Sequence, residues 1–468
     1  MFIPSLRNAL QSVNRLPPEI LSRIARGVPD NCAQDARPII PLTHVCRYWR
    51  ESIVSAPENW TLISSRSKAL TALSLERSKE APLRMYLDME QVRKTPGFVR
   101  LIDPCVHNAE ALEFVNLVTI DDIKRTLSDF PRTTPNLQLL DLSLRRVSPD
   151  WDSTVDPFGL FSPSLRHLLL YDIPLYPSFL NLKTLTEFTL HNYKFALPLD
   201  TLLIVLEENR SLERVVLRIC FMNPSLLNSQ RRAPIRNQLR HLSVTYYNVE
   251  DARALISHIP LHRGAILEID SRDKGAGLKV LLSGISTTHL GNLAAPTYME
   301  SDERGIRLRG PNGEFIFHGL SVSGMSFIRP FPLSLASVRE MHLECPGQQA
   351  STTDPRVFHP SPFPALEALA IKHDTDISAT FSALLPTPAS SPSLKTLAFL
   401  NCDPSKDFMK QLTRFVSNRK KTSSAWLNRV VIMHSGEIFP SAASIHTLGK
   451  QVPVVDVRFG TKLPTDLI

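Results

Sequence analysis

The sequence predicts an α/β chain: a small all-helical N-terminal module followed by an irregular solenoid built on a parallel sheet. Three observations carry this. Two short apolar patterns at helical spacing occupy the first sixty residues. From residue 112 onward a Leu-x-x-Leu-x-Leu unit, with aliphatic or Phe substitutions, recurs ten times, as in stacked strand-and-return repeats. Finally, 37 Pro stand against 17 Gly. Proline fixes φ and lacks an amide donor, so it punctuates many short elements rather than a few long ones.

The helical module begins at Asn14 and Arg15, which lead into Leu16-Pro17-Pro18. Proline suits a first helical turn because those amides have no intrahelical acceptor. Glu19 puts negative charge at the positive end of the helix. Ile20, Leu21 and Ile24 then mark an apolar face, and a loop containing Gly27, Pro29, Asp30, Asn31, Pro38 and Pro41 follows. A second helical pattern runs through Leu42, Val45, Cys46, Trp49 and Ile53; Pro57-Glu58-Asn59-Trp60 closes it, and Thr61-Leu62-Ile63 leads out. A module of about fifty residues buries too little surface to be robust alone. Part of its apolar surface is therefore expected to serve an intermolecular interface.

The segments LPPEIL (16–21), VCRYWR (45–50) and PENW (57–60) stand in the order found in the F-box family, which residues 12–63 resemble. The linker of 25–41 is longer than in compact members and is similar to insertions in fungal F-box proteins. The resemblance implies a module that binds the Skp-type adaptor of a cullin–RING ubiquitin ligase. It implies that Leu16, Pro17, Ile20 and Leu21 contact the adaptor. By the same resemblance Val45, Trp49 and Trp60 complete the hydrophobic module or its contact surface. The competing reading is a helical cap that seals the first repeat, but a cap does not need Leu-Pro-Pro-Glu.

Residues 64–468 are expected to form the solenoid. The units start at Leu112, Leu137, Leu165, Leu185, Leu212 and Leu239, then at Val338, Leu366, Leu394 and Leu427. Their spacings are 25, 28, 20, 27 and 27, then 28, 28 and 33. The array resembles leucine-rich repeats in degenerate form. Where that family places Asn or Cys, this chain has Cys220 and Cys402 in two units but Arg145, Ile173, Tyr193 or Tyr247 in others. The two cysteines read as repeat-core residues. In each strand the repeated Leu positions point inward, and the intervening ones face the concave side. TLLIVLEENR (201–210) reads as a returning helix, and Ile266 and Ile269 mark one weak repeat. Alternating Ile306/Leu308 and Phe315/Phe317 around Pro311-Asn312-Gly313 predict an antiparallel hairpin over 305–319. Two polar loops, 223–238 and 345–364, are candidates for disorder or target contact.

Several function classes are disfavoured. The net charge of +8 is mild and scattered. The short basic clusters, Arg231-Arg232 with Arg236 and Arg240, and Arg419-Lys420-Lys421, read as solvated loops rather than nucleic-acid contacts. The six cysteines form no CxxC pair and no zinc spacing. No run is long and apolar enough to span a bilayer, and the N-terminus lacks a secretory apolar stretch, so cytosol or nucleus is expected. No phosphate-binding loop or dinucleotide fingerprint is present. Gly319-Leu-Ser321-Val-Ser323-Gly324 misses the nucleophile elbow by one place, and Asp374-Thr-Asp376 lacks further metal ligands. His262, His289 and His318 have no partner that spacing assigns. The chain reads as a non-enzyme without cofactor or metal.

Positions +2, +4, +6 and +7 of the ten units give 40 concave candidates. They hold His167, His191, His241, His342, His373 and His434, six of the chain's 14 His. Tyr171, Arg218, Tyr246, Glu344 and Lys372 accompany them. His and Tyr each offer apolar area with a polar tip. This face is expected to bind a target protein with affinity that changes between pH 5 and 7.5, as imidazole protonation would cause. The competing reading is that His is tolerated on half-exposed strands. The expected function is substrate selection in an SCF-type ligase, with the repeats holding an unidentified target. The alternative is a leucine-rich-repeat scaffold with no ligase role.

Overall fold

A computed structural model describes residues 11–27, 39–118, 134–145, 163–173, 182–223, 239–259, 261–272, 281, 285, 290–291, 295–302, 305–318, 335–344, 363–372, 393–402, 404–422, 426–434 and 439–459. The described residues up to 223 belong to one compact unit and those from 239 to a second. Both are mixed α/β.

The first unit opens with a 3-10 turn at Ser12–Arg15, helices α1 (Pro18–Gly27), α2 (Ile39–Thr43) and α3 (Arg47–Ser55), and a 3-10 turn at Pro57–Trp60. Leu21, Ala25, Trp49 and Ile53 form their core, with Leu16, Ile39, Leu42, Cys46 and Tyr48 packed against it. The second helical pattern divides into two helices. Cys46 is extended (φ −158°, ψ 175°) and starts a new helix. At the break, the Arg50 Nε donates to the Thr43 carbonyl at 2.9 Å. This satisfies one of the C-terminal carbonyls that a helix leaves without an internal donor.

A buried polar joint ties α1, α3 and the closing turn together. Ser22 donates to Asn59 Oδ1 at 2.9 Å, and the Asn59 amide and Trp60 indole both donate to the Ile53 carbonyl. Helix α4 (Lys68–Ser78) packs on that turn, with the Arg77 guanidinium 4.4 Å above the Trp60 ring. The helices and the sheet that follows therefore belong to one compact unit.

That sheet contains β1 (Leu62–Ser64), β2 (Leu83–Asp88), β3 (Ala109–Leu117), β4 (Leu139–Leu144), β5 (His167–Tyr171), β6 (Glu187–Pro198) and β7 (Arg214–Asn223). Each pairs in parallel with the next. Helices α5 (Met89–Lys94), α6 (Phe98–Ile102) and α7 (Leu199–Glu208) lie in the connections, the last close to the helix expected at 201–210. The opening Leu137, Leu165, Leu185 and Leu212 are all buried. One register is corrected. Leu112 pairs with Leu140, the fourth residue of its unit, so the first unit begins at Ala109 and the step is 28 residues rather than 25. Ala109 is buried but is not a Leu, which hid it from the pattern.

The second unit contains β8 (His241–Tyr246), β9 (Ala265–Ser271), β10 (Tyr298–Ser301), β11 (Gly305–Gly310), β12 (Gly313–His318), β13 (Glu340–Glu344), β14 (Ala368–Lys372), β15 (Thr396–Leu400), β16 (Arg429–His434) and β17 (Val454–Phe459). It also holds α8 (Val249–His258), α9 (Lys406–Thr422) and α10 (Ala442–Gly449). Spatially, β8 pairs with β9, β9 with β12, β12 with β11, β11 with β10 and β10 with β13, after which the strands pair in sequence to β17. Among the described residues of this unit, only the two β11 pairings are antiparallel. The expected hairpin is thus present and lies inside the sheet. The weak repeat at Ile266 is also shifted: Ile266 pairs with His241, so it occupies position +2, and Leu267 and Ile269 are the buried residues.

The hairpin depends on Gly305. A Cβ there would stand 1.7 Å from the Phe317 carbonyl oxygen, within the paired backbone. Gly305→Ala is therefore expected to force β11 from β12 and to lower the urea midpoint of the second unit. An unchanged midpoint would show that the approach is not required.

The basic cluster at 419–421 is helical, not a loop. Arg419 is buried in α9, and the Lys420 ammonium lies 4.7 Å from the exposed Trp426 ring. Arg231, Arg232 and Arg236 lie outside the described residues, as do 224–238 and 345–362 of the two polar loops, 319–324 and 374–376. No described helix is long and apolar enough to cross a membrane.

Candidate functional site

Two kinds of surface qualify. The first is on the helical module. Helix α1 turns Leu21, Ser22 and Ala25 inward. Ile20 and Ile24, one turn apart, face outward with Pro17, and Ile40 and Val45 of the neighbouring segment are also exposed. Of the residues implied by the resemblance, Pro17, Ile20 (37% exposed) and Val45 (52%) are exposed. Leu16 is half-buried against the core. Leu21 is a correction. It is fully buried beside Trp49 and Ile53, because a residue next to Ile20 on a helix lies about 100° around the axis. It supports the surface from beneath. Trp49 and Trp60 are buried and complete the module's interior.

The turn that presents Pro17 is held by helix α3. The Trp49 Nε1 donates to Asn14 Oδ1 at 2.7 Å, and the Tyr48 hydroxyl donates to the Leu16 carbonyl at 2.7 Å. Cys46 Sγ lies 3.9 Å from the same Asn14 oxygen. Asn14 was legible only as a residue before a helix; its partners are more than thirty positions away.

The second surface is the half-exposed face of the strands in each unit. In the first unit, β4 and β5 alternate between half-buried and buried residues. His167, Tyr171 and His191 are on the half-exposed face, and Arg218 is exposed on β7. The His167 Nδ1 lies 3.2 Å from Glu187 across the next strand, and the Tyr171 and His191 rings meet edge-on at 4.5 Å. Burial, and secondarily Arg218, pushes His191 down to about 4. It is therefore neutral throughout pH 5 to 7.5, so the pH dependence expected above cannot arise from His191.

On the same face, Glu113 of β3 and Asp141 of β4 are register neighbours. Arg84 approaches Glu113 at 4.0 Å, while Asp141 Oδ1 is buried without a hydrogen-bond partner. Burial, then the Glu113 charge, raises Asp141 to about 7; burial also raises Glu113, against the pull of Arg84. Each acid looks ordinary in sequence, and a 28-residue step brings them side by side.

In the second unit, His241 and His318 approach one carboxylate, Glu268, at 3.4 and 3.6 Å. The His342 ring bridges Tyr298 and Glu340 at 3.0 and 2.7 Å. Arg307 and Arg309 pair with Glu314, and Lys372 reaches Glu344 at 2.9 Å. Tyr298 is pushed up to about 12 by burial and then by Glu300 and Glu340, so it keeps its proton at neutral pH and acts through hydrogen bonding. These groups cross-link strands. Among the described residues no group of three or more His, Cys, Asp or Glu is arranged to hold a metal ion.

Two other sites expected on the concave face are corrected. Tyr246 (2% exposed) and His434 (0%) are buried. Both stand at position +7, and alternation with period two places +7 with the inward +3 and +5 residues. The His434 ring contacts Phe439 and Phe459 edge-on at 4.5 and 5.7 Å. His373, also at +7, lies outside the described residues. Cys402 is buried, with Sγ 3.7 Å from the Met433 carbonyl, as a repeat-core cysteine would be. Part of this face is closed within β14 to β16: Ala370, Ala398, Val431, Leu400 and Met433, at +4 and +6, form a buried apolar cluster. Compared with known proteins, the chain matches no family model and no curated sequence.

Proposed function

We propose that this chain is a non-catalytic substrate-recognition subunit of an SCF-type cullin–RING ubiquitin ligase. The helical module docks a Skp-type adaptor, and the half-exposed strand face holds a target protein. The observation that carries the reading is the outer surface of the module. Pro17, Ile20, Ile24, Ile40 and Val45 stay exposed although the module already holds a buried core. Exposed apolar side chains grouped on one small element favour a partner that covers them. The LPPEIL, VCRYWR and PENW segments, which resemble the F-box family, indicate which partner. The contribution to ubiquitin transfer is proximity: one chain that holds both partners raises their effective concentration.

Ile20→Asp with Val45→Asp tests this at exposed positions, where folding is little affected. Wild type is expected to co-purify with a Skp-type adaptor and the double variant to lose at least about tenfold in affinity, since a carboxylate in an apolar contact is not solvated. Absence of binding by wild type would leave the interaction scaffold as the better account.

A further inference from the structure

The geometry points to Asn14 and Tyr48 as positioning residues that pre-order the Leu16-Pro17-Pro18 turn for docking. The inference rests on the adaptor reading and deepens it. Residues 12–15 form a single 3-10 turn without a buried side chain. Pro17 and Pro18, which follow it, are exposed. A turn of this size has little intrinsic persistence, because its few hydrogen bonds barely offset the entropy of ordering it. Here three tethers from elsewhere hold it. Asn14 Oδ1 accepts from the Trp49 indole at 2.7 Å, the Leu16 carbonyl accepts from the Tyr48 hydroxyl at 2.7 Å, and the Leu16 side chain packs on the Leu21–Trp49 core.

The two hydrogen bonds come from consecutive residues near the start of α3, while Leu16 and Pro17 lead directly into α1. The turn is therefore clamped to both helices before any partner arrives. A surface ordered in advance does not incur that entropy on binding. Asn14 and Tyr48 then contribute to affinity without being required to touch the adaptor. Trp49 is unsuitable as the test residue because it also fills the core.

Three full-length variants separate the possibilities. Asn14→Ala removes the acceptor, Tyr48→Phe removes only the hydroxyl, and Asn14→Asp keeps an acceptor oxygen for the indole. Affinity for a purified Skp-type adaptor, thermal unfolding, and hydrogen exchange of peptides spanning 11–21 are measured together. Asn14→Ala and Tyr48→Phe are each expected to weaken binding about five- to tenfold and to speed exchange of the turn, while the protein stays fully folded at the assay temperature. Asn14→Asp is expected to bind and exchange close to wild type. Wild-type binding that both variants retain would overturn the inference while leaving the adaptor reading intact. Weaker binding accompanied by faster exchange throughout the helical module, rather than in the turn alone, would also overturn it, as a general stability effect. Wild type that fails to bind would overturn the adaptor reading itself and the inference with it.

Discussion

Leu21→Ala is expected to lower the unfolding free energy of the first unit by about 3 kcal/mol, whereas Ile20→Ala changes it by less than about 1 kcal/mol. The two positions are adjacent in sequence and opposite in environment. Leu21 is fully buried with Trp49 and Ile53, so truncation leaves a cavity where helices α1 and α3 meet. Ile20 is 37% exposed, so truncation removes less intramolecular contact and leaves no enclosed cavity. Urea unfolding followed by tryptophan fluorescence reads the difference, since the Trp49 indole belongs to the same core. In adaptor binding the order reverses for folded protein: Ile20→Ala weakens it directly, and Leu21→Ala acts only through the unfolded fraction. Equal stability losses at the two positions would show that α1 is not turned as described.

Asp141→Asn is expected to stabilise the first unit above pH 7 and to flatten its stability profile below that pH. Burial and the neighbouring Glu113 raise Asp141 to about 7 in the folded chain. In the unfolded chain an Asp titrates near ~3.9. Between these values the folded state binds more protons, so stability falls as pH rises from about 4 to 7 and then levels off. At about 1.4 kcal/mol per unit, the folded charged form is disfavoured by up to about 4 kcal/mol. Arg84 and Tyr86 on β2, Glu113 on β3 and His167 on β5 are the ionisable groups nearby on this face. Arg84 offsets part of the Glu113 charge and so moderates the effect. Asparagine cannot ionise and leaves the size of the side chain nearly unchanged. Unfolding free energies at pH 5, 6, 7 and 8 for both proteins test the expectation, and parallel profiles would sink it.

Position-specific outcomes on the strand face follow from parity more than from residue type. His167, His191, His241 and His342 occupy even positions and are half-exposed, while His434 at +7 is enclosed. Counting histidines along the repeat found real face residues but mixed them with buried ones. The corrected unit at Ala109 has the same origin: a small buried residue serves the opening position and is silent in a search for Leu.

The sequence by itself determined the α/β class, the buried Leu positions of the parallel strands and the antiparallel hairpin. These are local or periodic properties, and apolar spacing imposes them wherever the chain lies. Tertiary structure alone decided which side of α1 is covered, which acids become neighbours and what holds the turn before Pro17. Asn14 meets Trp49 across 35 positions, and Asp141 meets Glu113 across 28. Such pairings arise from helix docking and strand register, and their energies depend on burial that no single stretch of sequence encodes.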